Sequence, residues 1–440
     1  MIEIPYGSFP EDYQLDRLED LCIKKIGIQT GPFGSQLHNS DYVSIGTPIL
    51  TVEHLGENRI LHENLPRVTE GDRQRLSRYS IKKGDIIFSR VGSVDRRALV
   101  REAEDGWLFS GRCLRVRPDP DKLDSVYLSY IMGLPSFKEY IRKIAVGATM
   151  PSINTEILSD IPICYPPLPT QHTIACILGS LDDKIELNRQ MNETLEAMAR
   201  AIFQSWFVDF DPVRVKAEGR DTGLPPEIAA LFPDGFEEVS GQEVPRGWEV
   251  CDLKEICKIT RGSSPRPIQE YMNGTIPWIK IADVTKLPSP FLYETRELLK
   301  EEGISNSVEV HPGDIVLSNS ATCGVPVFIE IYGCIHDGWL LFRDIKRISK
   351  GYLYHNLIEM SNELVRIADG SVQKNLNIDL MGMQAIVVPS QNVLQKFDEM
   401  NEILFKLVRS NVEQSRTLAK IRDALLPKLM SGEIQVKAET

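Results

Sequence analysis

The chain has 440 residues, 42% hydrophobic and 25% charged, which is the make-up of an ordinary folded protein with room for about three domains. Its 50 basic and 62 acidic residues leave a net charge of −12, which excludes a surface that is basic all over but permits a local basic groove. No stretch approaches the roughly 18 apolar residues of a membrane span, and the opening residues lack a signal-peptide pattern, so a cytoplasmic protein is expected.

In chain order, residues 1–168 read as a strand-rich domain. Thr47-Pro48-Ile49-Leu50, Asp85-Ile86-Ile87-Phe88 and Leu114-Arg115-Val116 are short apolar or β-branched runs between Gly, Pro and Asn turns. Gly84-Asp85 reads as a turn entering a buried strand, and Ser125 to Ile131 has a helical pattern, giving an α+β domain. Between Arg67 and Arg97 stand nine basic residues and four acids, a local excess of +5 in 31 residues. Arg112, Arg115 and Arg117 are expected to share one face of a strand.

Residues 169–207 read as one long helix. Ile174, Leu178, Leu181, Ile185, Asn188, Asn192, Leu195, Ala199, Ile202 and Trp206 keep a 4,3,4,3 spacing, the heptad seam of a paired helix. At 1.5 Å per residue, about 38 residues reach roughly 57 Å. Such a helix either pairs with another or lies on its own domain; the unbroken period favours pairing. Residues 208–243 are rich in Pro, Gly and acid and read as an ordered connector.

Residues 244–390 then repeat the first domain. Val244-Pro245-Arg246-Gly247-Trp248 follows Phe9-Pro10-Glu11-Asp12-Tyr13 at an offset of 235, and Gly313-Asp314-Ile315-Val316 follows Gly84-Asp85-Ile86-Ile87 at 229. Ala368, Gly370, Asn377 and Pro389 follow Ala145, Gly147, Asn154 and Pro166 at 223. Ile276-Pro277-Trp278-Ile279 and Leu340-Leu341-Phe342 are the matching strands, and Tyr352 to Met360 the matching helix. A second long helix spans 391–432, with a weaker seam through Phe397, Asn401, Leu404, Val408, Asn411, Ser415, Leu418, Arg422, Leu425 and Leu429, where Ile421 can substitute for Arg422. Pro427 bends or ends it near its last turn. The whole is an α+β chain: two pseudo-symmetric domains and two long antiparallel helices forming a coiled coil. Antiparallel pairing would bring Asn188 against Asn411, with Asn192 and Ser415 one turn on, so these polar residues are expected to fix the register.

Catalytic motifs are missing from the sequence. There is no GxxxxGK[ST] loop, no strand followed by GxGxxG, no HExxH and no GxSxG. The two Pro-Pro pairs, Tyr165-Pro166-Pro167 and Leu224-Pro225-Pro226, have the wrong flanks for an amino-methyltransferase corner. Pro118-Asp119-Pro120-Asp121-Lys122 reads as a surface turn rather than a nuclease centre. Eight scattered cysteines without a CxxC pair read as reduced thiols rather than a zinc site. What stands out is basic and polar chemistry on loops after strands. Ser89, Arg90, Arg96, Arg97 and Arg112 in the first half, and Arg261, Arg266, Lys280, Lys286, Ser318 and Asn319 in the second, suit phosphate contacts and groove readout.

Two such domains, each followed by a long helix, resemble the specificity subunit of a type I restriction–modification enzyme. The resemblance covers the whole chain. It is carried by Val244-Pro245-Arg246-Gly247-Trp248-Glu249-Val250, by Ile163-Cys164-Tyr165-Pro166-Pro167-Leu168-Pro169-Thr170-Gln171, and by Trp206-Phe207-Val208-Asp209-Phe210-Asp211-Pro212-Val213 with Gly223-Leu224-Pro225-Pro226 after it. The two Gly-Asp strand entries add to it. Pro10-Glu11-Asp12-Tyr13 and Val388-Pro389-Ser390-Gln391 depart from the family pattern at the domain–helix joints. The resemblance implies two target recognition domains, each reading half of a bipartite double-stranded DNA site. It implies helices that set the spacer and dock two methyltransferase subunits, two restriction subunits as possible further partners, and a role in phage defence. S-adenosylmethionine, ATP and magnesium are expected on the partner subunits and none on this chain, which is then non-catalytic. The alternatives are a self-contained restriction or DNA-methylating enzyme, and a coiled-coil scaffold without a DNA role, which the arginine-rich loops disfavour. Off the seams, Met191, Met198, Phe203, Phe207, Ile403 and Leu407 are extra apolar positions expected to meet partners.

Overall fold

The structure, a computed structural model, describes residues 1–437 apart from 34, 35, 148, 286, 288, 321, 322 and 368–375. The expectations at Lys286, Ala368 and Gly370 lie outside the described residues. The chain divides into two compact units, Met1–Ile185 with Arg416–Thr440, and Glu186–Ser415.

The first unit opens with a hairpin, Ile2–Ile4 against Gly7–Phe9. Its central sheet is antiparallel, in the order Ile28–Thr30, Cys113–Val116, Ile86–Ser89, Arg97–Leu99. Side chains alternate across a strand, so Ile86 and Phe88 enter one apolar cluster with Leu114 and Tyr127, while Ile87 enters another with Ile49 and Phe109. A sheet covered on both faces explains why Asp85 is followed by an unbroken apolar run. A second sheet, in the order Leu108–Phe109, Thr47–Leu50, Arg67–Val68, Tyr42–Val43, carries the smaller cluster. Gln14–Arg17 pairs with Pro162–Tyr165 and so ties the domain's first residues to its last strand before the helix.

The second unit repeats this plan. Its hairpin is Phe236–Val239 with Gln242–Pro245, so the repeat reaches back beyond residue 244 and a division at 243/244 cuts the hairpin. Its central sheet runs Lys258–Arg261, Trp339–Arg343, Ile315–Ser318, Pro326–Ile329, Phe291–Leu292, and Glu249–Asp252 pairs with Ala385–Val388. The residues read as a connector contribute core. Phe210, Val213 and Phe232 are buried beside Trp206 and Phe207 of the long helix, and Trp248 lies 5.9 Å from Phe207 and 5.8 Å from Phe210, ring to ring. Each such burial is worth about 1.5–3 kcal/mol.

One long helix runs Leu168–Phe203 and continues through a wider turn, Gln204–Val208; the other runs Gln391–Met430, with Pro427 inside its last turn. The Pro-Leu-Pro-Thr-Gln entry has a physical reason. The buried Gln171 amide accepts from Asp124 N at 2.9 Å and donates to Pro166 O at 2.9 Å, which bolts the helix to its domain. Within the first unit Ile174 and Leu178 pack in one cluster with Leu426, Leu429 and Met430, and Arg422 meets Asp182 at 2.6 Å. Arg422 thus occupies the seam by pairing with a carboxylate, and Ile421, expected as its substitute, is exposed instead. Within the second unit Phe203 meets Phe397 with ring centroids 5.8 Å apart, and Asn188 meets the residues from Asn411 to Ser415. In both units rising numbers on one helix meet falling numbers on the other, so the helices run antiparallel.

Candidate nucleic-acid interface

Each domain is built around the same lock. Asp85 accepts from Lys82 N at 2.8 Å, closing the turn in which Gly84 takes φ +87°, and receives Arg117 through two bonds of 2.6 Å. Asp314 does the same with His311 N at 2.9 Å, Gly313 at φ +86° and Arg343 at 2.6 Å. A side chain other than glycine is strained at such φ. The recurring Gly-Asp pair is therefore a turn and an ion-pair anchor joining neighbouring strands.

The loops follow the same logic. Arg90 N bonds Arg112 O at 2.9 Å and Asn319 N bonds Gly338 O at 2.9 Å; Ile153 N reaches Arg90 O and Leu376 N reaches Asn319 O. Even the side chains agree: Arg90 Nη1 donates to Gly111 O at 3.0 Å, and Asn319 Nδ2 to Asp337 O at 3.3 Å. Gly31 and Gly262 hold matching close approaches, since a Cβ there would lie 2.2 Å from Ser110 O and 2.0 Å from His336 O. The frame is common, and the side chains it carries outward differ.

Burial sorts the ten described residues among those expected at the interface. Ser89, Arg97, Ser318 and Asn319 are buried, which corrects the expectation that they face DNA. Ser89 Oγ donates to Ser93 O, Ser318 Oγ accepts from Val325 N, and Arg97 bonds Ser129 O at 2.7 Å and Glu57 at 2.9 Å. A buried guanidinium held by a carbonyl and a carboxylate is a structural tie. Arg112, Arg261 and Arg266 are exposed, and Arg90, Arg96 and Lys280 are half-buried. Arg96 reaches Val52 O at 3.1 Å, Arg261 reaches Asp337 O at 2.9 Å, and Lys280 pairs with Glu297 at 2.6 Å.

The shared face of Arg112, Arg115 and Arg117 is not there. Arg112 precedes the strand and is exposed, whereas Arg115 and Arg117 turn inward on alternate positions toward Asp85. Arg115 is buried among the carbonyls of Ser80 and Ile26, at 2.9 Å each, and Gln29 Oε1 at 2.6 Å. Burial, with Arg117 alongside, pushes its guanidinium down to about 10, against the pull of Asp85; it stays charged at neutral pH. The basic excess between Arg67 and Arg97 also shrinks in space. Arg73 pairs with Glu70 and Arg75 with Asp72, while Lys83 and Arg97 find Glu102 and Glu57 outside that stretch.

Two features had no place in the expectations. The Arg90 guanidinium lies 4.5 Å over the exposed Phe33 ring, an arrangement that holds a cation in place while leaving part of it open. In the second domain a cavity of about 800 Å³ is lined by Ser264, Arg266, Ile268, Trp278, Lys280 and His336 among others. The paired glycines Gly31 and Gly262, repeat-equivalent and each opening a polar or aromatic loop, are the signal that could have pointed to both.

On the helix pair, Asn188 and Asn192 are buried. Asn188 Nδ2 donates to Gln414 Oε1 at 2.9 Å, Ser415 Oγ at 3.2 Å and Asn411 O at 3.3 Å, and Asn411 Nδ2 donates to Asn192 Oδ1 at 2.9 Å. The amides therefore pair diagonally rather than Asn188 with Asn411 side chain to side chain. Phe203 and Phe207 are core, which corrects their placement at a partner surface, while Leu187, Met191, Met198, Ile403 and Leu407 are exposed.

The profile of the family described as the type I restriction modification DNA specificity domain matches this chain twice, over residues 10–197 and 245–421. The HindI type I restriction enzyme specificity subunit of Haemophilus influenzae is 30% identical over 425 residues, covering 86% of this chain and 92% of its own. The MjaIX specificity subunit of Methanocaldococcus jannaschii is 24% identical over 444 residues, covering 99% and 96%. Among solved structures, the S subunit of a type I system from M. genitalium has the same fold, with a TM-score of 0.57 at 17% identity over 97% of this chain and 99% of that one. With a doubled domain frame, exposed arginines on its loops and a family match over both halves, the chain belongs to the DNA specificity proteins of type I restriction–modification systems.

Proposed function

We propose that this chain is the DNA-reading subunit of a type I restriction–modification complex, in which each domain reads one half of a bipartite, asymmetric site. The observation that carries this is the repetition of one frame with different outward residues: Arg112 stands where the second domain has Gly338, and Phe33 lies under Arg90 where the second domain has the Ser264–Ile268 loop. A common frame lets two domains meet two duplex segments in the same manner, and different side chains let the half-sites differ in sequence. Arg90, Arg96, Arg112, Arg261, Arg266 and Lys280 are the DNA-facing charges in this reading. The protein then works in the cytoplasm and performs no catalysis itself.

The long helices act as the spacer in this reading. Moving one past the other by a heptad would shift it about 10 Å, close to three base pairs, so the Asn188, Asn192, Asn411 and Ser415 bonds govern which spacer is accepted. Leu187, Met191, Met198, Ile403 and Leu407 supply an apolar face for two methyltransferase subunits, which bring S-adenosylmethionine. Restriction subunits, where present, bring ATP and magnesium. Coproduction with the methyltransferase subunits and mapping of methylated adenines tests the reading: a split motif with a fixed gap is expected, and methylation without any split motif would reject it.

A further inference from the structure

Two arginines of one loop in the first domain are held in opposite ways. Arg97 is enclosed and its charge is met by Glu57 at 2.9 Å. Arg90 is half-buried and has no ion-pair partner among the described residues. Its backbone is nevertheless fixed, with its N–H bonded to Arg112 O and its carbonyl taking Ile153 N–H, both at 2.9 Å. Its side chain is fixed as well. Nη1 donates to Gly111 O at 3.0 Å, and the guanidinium lies over the Phe33 ring, 4.5 Å from the centroid. The other donors of the group have no partner among the described residues, and none of them is sealed in the interior.

The support is itself tightly built. A Cβ on Gly31 would lie 2.2 Å from Ser110 O, and one on Gly111 would lie 2.4 Å from Pro32 O. The two glycines therefore let the Phe33 segment press against the turn that supplies the Gly111 carbonyl. Phe33 N–H donates to Gln36 Oε1 at 3.3 Å, Gln36 N–H bonds Phe33 O at 3.0 Å, and Tyr79 OH donates to the same Oε1 at 2.7 Å. The ring is 47% exposed, so what it covers is the guanidinium rather than a core. A phosphate meets a cation from many directions and needs no such support. The O6 and N7 edge of guanine accepts two parallel bonds only from a fork held in the plane of the base. At the equivalent place in the second domain Asn319 is buried, with its amide turned to Asp337 O at 3.3 Å.

We propose that Arg90 reads a guanine in the major groove of the first domain's half-site, and that Phe33 is the positioning residue that holds its fork. The assignment rests on the DNA-recognition reading and adds to it one base and one half-site.

The test uses the full chain assembled with its methyltransferase subunits and the duplex that the complex selects. Each guanine is replaced in turn by 7-deazaguanine, which pairs normally but lacks the N7 acceptor. At one guanine, in one half-site, the wild type should lose about tenfold in affinity. In Arg90→Ala and Arg90→Lys that penalty should vanish, while the penalties in the other half-site stay as they were. Phe33→Leu should shrink the same penalty and Phe33→Tyr should restore it, which a purely structural role for the ring would not produce. Unchanged melting temperatures show which variants fold, and the lysine and Phe33 variants decide the matter if the alanine variant does not. A penalty that persists in the Arg90 variants, or weakening spread evenly over all sequences as for a phosphate contact, overturns the proposal. If the complex selects a split motif in which no guanine depends on Arg90, the DNA-recognition reading stands and only the assignment falls. If it selects no split motif at all, that reading falls and the assignment with it.

Discussion

Asp85 and Asp314 close the same turn, yet their arginine partners sit in different surroundings: Arg117 is 12% exposed and Arg343 38% exposed. The two domains share a frame that the first encloses more completely. Breaking an enclosed pair leaves a stranded charge, whereas an open pair is screened by water. Asp85→Ala should therefore destabilise the first domain by about 3–5 kcal/mol, and Asp314→Ala should cost the second well under half of that. Thermal melts of the two variants give the answer, and equal costs would mean that the lock does not depend on enclosure.

A second contrast lies where the first domain has Tyr130 and the second His355. Tyr130 donates to Asp182 at 2.6 Å, while His355 Nε2 lies 3.0 Å from Asn401 Oδ1 among Phe203, Phe397 and Phe405. Burial lowers the His355 pKa to about 4, with the Asn401 bond opposing it. The unfolded chain takes up this proton near 6.5 and the folded one only near 4, so stability of the second unit falls as pH drops between those values. The full loss is at most about 3 kcal/mol. His355→Gln should flatten this dependence in acid titrations followed by fluorescence, and an unchanged slope would show that another group titrates.

The asparagine cluster separates register from stability. Asn192→Leu leaves the Asn411 amide unpaired and should cost about 1–3 kcal/mol. Replacing both by Leu removes the need for the bond and should restore most of that loss while widening the accepted spacer. A double variant as unstable as the single one would place the cost in packing. Smaller still is the effect of Ile403→Glu or Leu407→Glu, which should change stability by no more than about 0.5 kcal/mol but abolish copurification with the methyltransferase subunits.

These contrasts show what a sequence makes legible. The repeat, the Gly-Asp strand entries and the heptad seam are periodic or duplicated, and periodicity survives without coordinates. Arg73 and Arg97 belong to one stretch of basic sequence, yet Arg97 is inside and Arg73 outside, because Glu57 and Ser129 O come to Arg97 from distant parts of the chain. Charge counted along a sequence cannot register such partners. Hydrophobicity alone favours Ile421 over Arg422 in the seam, and Asp182 reverses that order by supplying a counter-charge. The cavity beside Trp278 was invisible for the same reason, since its walls come from three separate strands and loops.

The central claim is that the two domains read separate half-sites through different residues on a common frame. It is tested most directly by selecting bound sequences from a random duplex pool with the assembled complex carrying Arg112→Ala or Arg266→Ala. Each variant should relax preference in one half-site only, and not the same half, by about 1–3 kcal/mol at one position. Relaxation of the same half by both, or undisturbed selection by both, would contradict the account.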